Sequence, residues 1–105
     1  MSGLESLDDP RYPAYSISQA AELLGCRQAF LRSLDSHGLV SPQRSTGGHR
    51  RYSRHQLETA SRVRGLLDDG YSMTAACHVV VLEDELRKAR ARLSDLRRRV
   101  EGHDA

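Results

Sequence analysis

Residues 38–53 read GLVSPQRSTGGHRRYS. Leu39 and Val40 are apolar, and Pro42 breaks any helix that reaches it. The Thr46-Gly47-Gly48 run reads as a turn between two extended arms. A flexible linker has no need of His49, Arg50, Arg51 and Tyr52, and a buried turn does not tolerate them. Ser53 then starts a new periodic segment, SRHQLETASRVRGLLDDG. With Gln56 three residues on, Ser53 matches a capping box. Leu57, Ala60, Val63, Leu66 and Leu67 continue the helical stripe, which Gly70 ends.

Upstream, residues 15–17 (Tyr-Ser-Ile) read as a short extended segment. Ser18 fits a helix N-cap, with Ala20, Ala21, Leu23 and Leu24 on one apolar face and Gly25 as the stop. A second helix follows at once, with Ala29, Phe30, Leu31 and Leu34 at helical spacing, and Gly38 ends it. A short helix, a tight glycine turn and a second helix outline a helix-turn-helix, whose second helix can enter a major groove. Residues 1–13, with Pro10 and Pro13, read as a disordered lead.

Downstream, Ser72 can cap a further helix. From there Val79, Leu82, Leu86, Ala89, Leu93, Leu96 and Val100 step by three and four, a heptad seam with charged flanks. Gly102 is expected to close it, leaving 102–105 as a tail. So narrow a strip suits pairing with another helix better than a broad core face. Set antiparallel, two copies bring Glu83 to Arg97 and Glu85 to Arg99, with Leu82 opposite Val100, Leu86 opposite Leu96 and Ala89 opposite Leu93. Arg90 and Arg92 then meet their own copies, which is unfavourable. A parallel pair matches Glu85 with Arg90 but sets Arg92 against Arg97. The charges favour the antiparallel homodimer.

The chain of 105 residues is 38% hydrophobic and 5% aromatic, enough for about one small domain with a modest core. Its net charge of +2 is unevenly spread. In residues 1–26, Arg11 against four carboxylates leaves −3; in 27–64, eight arginines against Asp35 and Glu58 leave +6; in 65–105, seven bases against eight acids leave −1. A central basic block of this kind commonly meets phosphates.

No run of 18 apolar residues is present, so no membrane span is expected, and the acidic start lacks the apolar core of a signal peptide. Cys26 and Cys77 are too few and too far apart for a disulfide scaffold or zinc site, which suggests a reducing, cytoplasmic setting. None of the five histidines falls in a His-x-x-x-His pattern, and no glycine-rich phosphate loop occurs. No catalytic residues, metal or cofactor are expected, and the chain does not read as an enzyme.

YSISQAAELLGC (15–26), LRSLDSHGLVSPQR (31–44), GGHRRYS (47–53) and LLDDGYSM (66–73) arrive in an order and spacing that resemble the DNA-binding domain of the MerR family of bacterial transcription regulators, over residues 15–82. Within that family the chain looks most like the heat-shock repressors and other small regulators without a large ligand domain. The resemblance implies a mainly α fold with a small β-hairpin wing: a winged helix-turn-helix over 14–78, then a coiled-coil helix over 79–101 that dimerises antiparallel.

It also implies double-stranded DNA as partner, an inverted-repeat site, and a place at the nucleoid. Arg27, Gln28 and Ala29 would lie near base edges, and Arg32 matches the helix arginine that contacts DNA. Ser33 and Leu34 stand where the family commonly has two tyrosines, so only a shorter hydrogen bond from Ser33 remains there. Arg44, His49, Arg50, Arg51 and Tyr52 would belong to the wing. Tyr52 would either pack on the core or touch a phosphate. Two other readings remain: an excisionase-like architectural protein, and an interaction module whose coil binds a protein such as a chaperone.

Overall fold

A computed structural model describes residues 8–103. It contains β1 (Pro13–Ser16), α1 (Ile17–Leu24), α2 (Gln28–Ser36), β2 (Gln43–Arg44), β3 (Arg50–Ser53), α3 (Arg54–Asp68) and α4 (Met73–His103). This is the mainly α, winged helix-turn-helix architecture with a long C-terminal helix that the sequence implies. The wing is larger than a hairpin. β3 lies between β1 and β2, antiparallel to both, with Tyr15 opposite Tyr52 and Ser16 opposite Arg51 on one side, and Gln43 opposite Arg51 on the other.

Part of the expected unstructured lead is thus structured. Pro13 opens β1, and the carbonyl of Pro10 accepts from His55 N–H at 2.8 Å. Residues 1–7 lie outside the described residues, as do 104 and 105 of the expected tail.

Two identical capping boxes start α1 and α3. Ser53 Oγ accepts from Gln56 N–H at 3.1 Å while Gln56 Oε1 accepts from Ser53 N–H at 2.9 Å. Ser16 and Gln19 repeat the arrangement. The N-cap of α1 is therefore Ser16, not Ser18, because only Ser16 has a glutamine three residues on to close the box. From that start, Ile17, Ala20, Ala21 and Leu24 share the inward face, and Leu23 turns about 100° away; it is exposed rather than part of the face predicted from the sequence. Gly25, at φ 63°, ends α1 in the left-handed conformation that favours glycine.

The core gathers Ala20 and Ala21 of α1, Leu31 and Leu34 of α2, Val40, Tyr52 of β3, Leu57, Ala60 and Val63 of α3, and Ala76, Cys77 and Val80 of α4. Ser72 Oγ caps α4 by accepting from Ala75 N–H at 3.1 Å. The helix that Ser72 starts and the seam helix are one continuous 31-residue element, because no glycine or proline occurs between Met73 and Glu101. Gly102 does not stop it; the helix runs on through His103.

Candidate nucleic-acid interface

The wing turns on residues 45–49. Gly48 N–H donates to the Ser45 carbonyl at 2.9 Å and Ser45 N–H to the His49 carbonyl at 2.8 Å. Gly48 sits at φ 81°, so it is the glycine the turn requires; Gly47 carries no such value. Arg44 Nη1 donates to the Gly48 carbonyl at 3.1 Å and braces the tip.

The wing faces the helix-turn-helix across an open crevice of about 400 Å³. Its walls are Arg44, Gly48, His49, Arg50 and Arg51 of the wing, Arg32 of α2, and Ser16, Ile17 and Ser18 at the start of α1. Four arginines thus line one groove. The first N–H groups of a helix have no acceptor within it and carry partial positive charge. Ser16 caps that of Gln19, and the preceding residues, Ile17 and Ser18, form the crevice wall. The arrangement suits a phosphate or a run of them: charge from four arginines, backbone donors from a helix start, and no enclosing wall.

The structure brings together Arg32, Arg44, His49, Arg50 and Arg51 of the residues marked from sequence. It sets Arg27 and Ala29 apart, on a separate cleft with Cys26, Phe30, Arg64 and Leu67. Arg27 and Ala29 are exposed at the leading end of α2, where Arg27 is the N-cap without a side-chain cap bond. Gln28 is half-buried and its Oε1 accepts from Arg32 Nη2 at 3.1 Å, leaving its amide N–H groups to donate. Ser33 is half-buried.

Tyr52 is fully buried, so of the two roles open to it from sequence the structure gives it the core one, and it offers no surface to a phosphate. Burial also pushes its phenol pKa up, against the lowering charge of Arg50. Missing from the sequence reading were Ser16, Ile17 and Ser18; the Ser-x-x-Gln pattern at 16–19 was the signal that could have found them.

The seam behaves differently from the core. Leu82, Leu86, Leu93, Leu96 and Val100 are between 48% and 61% exposed on the single chain, so the strip lies outside its own core. Ala89 is exposed and Val79 half-buried. Val80, one position on, turns inward to α3 and is fully buried. Arg62 of α3 reaches Asp84 at 2.8 Å and Glu83 at 3.1 Å, fixing where α4 leaves the domain. Asp95 holds Arg99 at 3.0 Å. Glu83 and Arg99, both assigned to inter-chain pairs on sequence grounds, are therefore engaged within the chain. The apolar register argues for pairing more strongly than these charges do.

Burial alone would raise the Asp84 carboxyl pKa, but the hydrogen bond and charge of Arg62, with help from Arg87 and Lys88, hold it below its ordinary value near 3.8. A carboxylate depressed on folding stabilises above its unfolded pKa, and that contribution is lost as pH falls through the folded one. Asp84→Asn should therefore destabilise the chain at pH 7 by no more than about 1 kcal/mol, since the pair is about a third exposed. The gap from wild type should close below about pH 3.8 in thermal melts.

Both thiols have pKa values pushed up by burial, against the lowering charge of Arg64 in the case of Cys26, so they are protonated at neutral pH. Among the described residues no three of His, Cys, Asp and Glu gather as metal ligands, and no helix is long and apolar enough to cross a membrane.

The chain matches the family model described as MerR HTH family regulatory protein over residues 15–80. It is 36% identical over 91 residues to the putative heat shock protein HspR of Streptomyces coelicolor, covering 86% of this chain and 60% of that one. It spans about three fifths of the length of the curated relatives it matches. Among solved structures, a MerR-family transcriptional regulator from Bacillus cereus superposes with a TM-score of 0.59 at 22% identity, covering 83% of this chain and 72% of that one. HiNmlR, a MerR-family regulator lacking the sensor domain and bound to promoter DNA, superposes at 0.58 and 21%, covering 83% and 78%. At such identities the likeness is one of fold. With the family model matched across the helix-turn-helix, the wing and the start of the long helix, the chain belongs to the MerR family of helix-turn-helix regulatory proteins.

Proposed function

We propose that the chain is a transcriptional regulator that binds double-stranded DNA as a homodimer, at an inverted-repeat site. The observation that carries this reading is the crevice in which Arg32 of α2 and Arg44, Arg50 and Arg51 of the wing meet the start of α1. In this arrangement α2 enters a major groove with Arg27, Gln28 and Ala29 at base edges. Gln28 can pair with adenine and Arg27 with guanine. The crevice seats the neighbouring phosphates, which position the helix without reading sequence. HiNmlR, which has the same fold, is bound to promoter DNA, which supports DNA as the partner here.

The α4 strip supplies the two-fold axis. In the antiparallel register of Leu82 with Val100 and Leu86 with Leu96, the axis passes near residue 91. Each domain joins its helix around residue 77, about 14 residues or ~21 Å from that axis at 1.5 Å per residue. The two domains then stand roughly 40 Å apart, close to the ~34–36 Å of one DNA turn that separates half-sites. Selection of genomic fragments by the purified chain, followed by mobility-shift titration, tests the reading. It expects recovered fragments to share a sequence with dyad symmetry; recovery of duplexes with no common sequence would reject it.

A further inference from the structure

The two adjacent wing arginines are not equivalent. Side chains alternate along a strand, so Arg50 shares the inward face with buried Tyr52, while Arg51 points to the other. Asp35 of α2 meets Arg50 there, its Oδ2 lying 3.7 Å from Arg50 Nε, with both side chains about a quarter exposed. Arg50 Nε and the Tyr52 hydroxyl are each buried with no hydrogen-bond partner among the described residues. The Asp35 carboxylate stands beside Arg50 Nε, and its charge acts on the Tyr52 phenol, raising its pKa; a carboxylate has acceptor sites for several donors. Asp35 lies one helical turn beyond Arg32, so α2 presents the wing with a cation and an anion from one face.

We propose that Asp35 is a positioning residue for DNA binding: it holds the Nε edge of Arg50, locks the wing to α2, and leaves the outer guanidinium N–H groups facing the crevice. The proposal rests on the DNA-binding reading. A free arginine loses rotamer freedom when it meets a phosphate; one tethered by Asp35 has already lost it. The lock also fixes the wing's phosphate contacts relative to the base contacts of α2. Coulomb's law alone has the opposite consequence, since an acid on a basic face repels DNA and its removal should tighten binding. The sign of the effect therefore separates the two.

The test measures affinity for one wild-type-selected duplex across a salt series, for Asp35→Asn, Asp35→Glu, Arg50→Ala, Arg51→Ala and the double variant Asp35→Asn/Arg50→Ala, with thermal melts on each. Asp35→Asn is expected to weaken binding about tenfold despite removing a negative charge, and Asp35→Glu to recover most of the loss. In the Arg50→Ala background, Asp35→Asn should change affinity less than about twofold. Equal or tighter binding by Asp35→Asn overturns the proposal. So does an undiminished loss in the Arg50→Ala background, which would make Asp35 a residue of general stability. A wild-type chain that binds no duplex overturns the DNA-binding reading itself. Intact Asp35→Asn binding beside a loss in Arg51→Ala removes only the role of Asp35.

Discussion

Leu86→Asp combined with Leu93→Asp should leave the chain folded, convert it to a monomer, and weaken DNA binding by about 100-fold or more. Both leucines are about half exposed on the single chain and lie beyond its core, so the charges cost the domain little. In the paired state they face Leu96 and Ala89 of a second copy, where two buried, unpaired carboxylates per chain are not tolerated. A dimer binds its second half-site as an intramolecular event, and loss of that coupling typically costs 10²–10⁴ in affinity. Analytical ultracentrifugation with circular dichroism checks the first part, and mobility shift the second. A dimer that survives both substitutions would place the interface elsewhere.

The second large effect concerns the crevice. A protein that neutralises Z phosphates has a log K that falls with log salt at a slope of about −0.9Z. Arg32→Ala, Arg44→Ala and Arg51→Ala together should flatten that slope by roughly 5 for a dimer, three contacts from each subunit. Binding should weaken alike on every sequence, because phosphates carry no base information. Near 100 mM salt the expected loss exceeds about 10³-fold, and anisotropy titrations across a salt series measure it. A slope unchanged in the triple variant would mean that the crevice does not face the DNA.

How far the sequence led depends on how local each signal was. Ser53-x-x-Gln56 set the start of α3 because both halves of the box lie within four residues, and Gly25 and Gly38 marked the two stops for the same reason. The equivalent box at Ser16 is masked by Ser18, the serine nearer the apolar run. A start at Ser18 also puts Leu23 on the wrong face, since a helix face is a matter of phase.

At the wing, spacing alone left Tyr52 between two roles; the register opposite Tyr15 and the packing of β3 on the helices bury it. In the sequence Asp35 is only one of two acids in the basic block, because its contact with Arg50 spans 15 residues and exists only once α2 and β3 are packed. Arg62 likewise engages Glu83 and Asp84 across the joint between α3 and α4, which no heptad analysis contains. Periodicity did expose the seam, and the fold leaves that strip uncovered where a purely internal helix would hide it.

The central claim is that a two-fold dimer sets two copies of α2 on one face of a duplex. Hydroxyl-radical footprinting of the wild-type chain on a selected fragment measures it most directly. The account predicts two protected half-sites related by a dyad, with centres about one helical turn apart, and protection that fades as salt rises. A single protected segment without a dyad, or protection indifferent to salt, would contradict it.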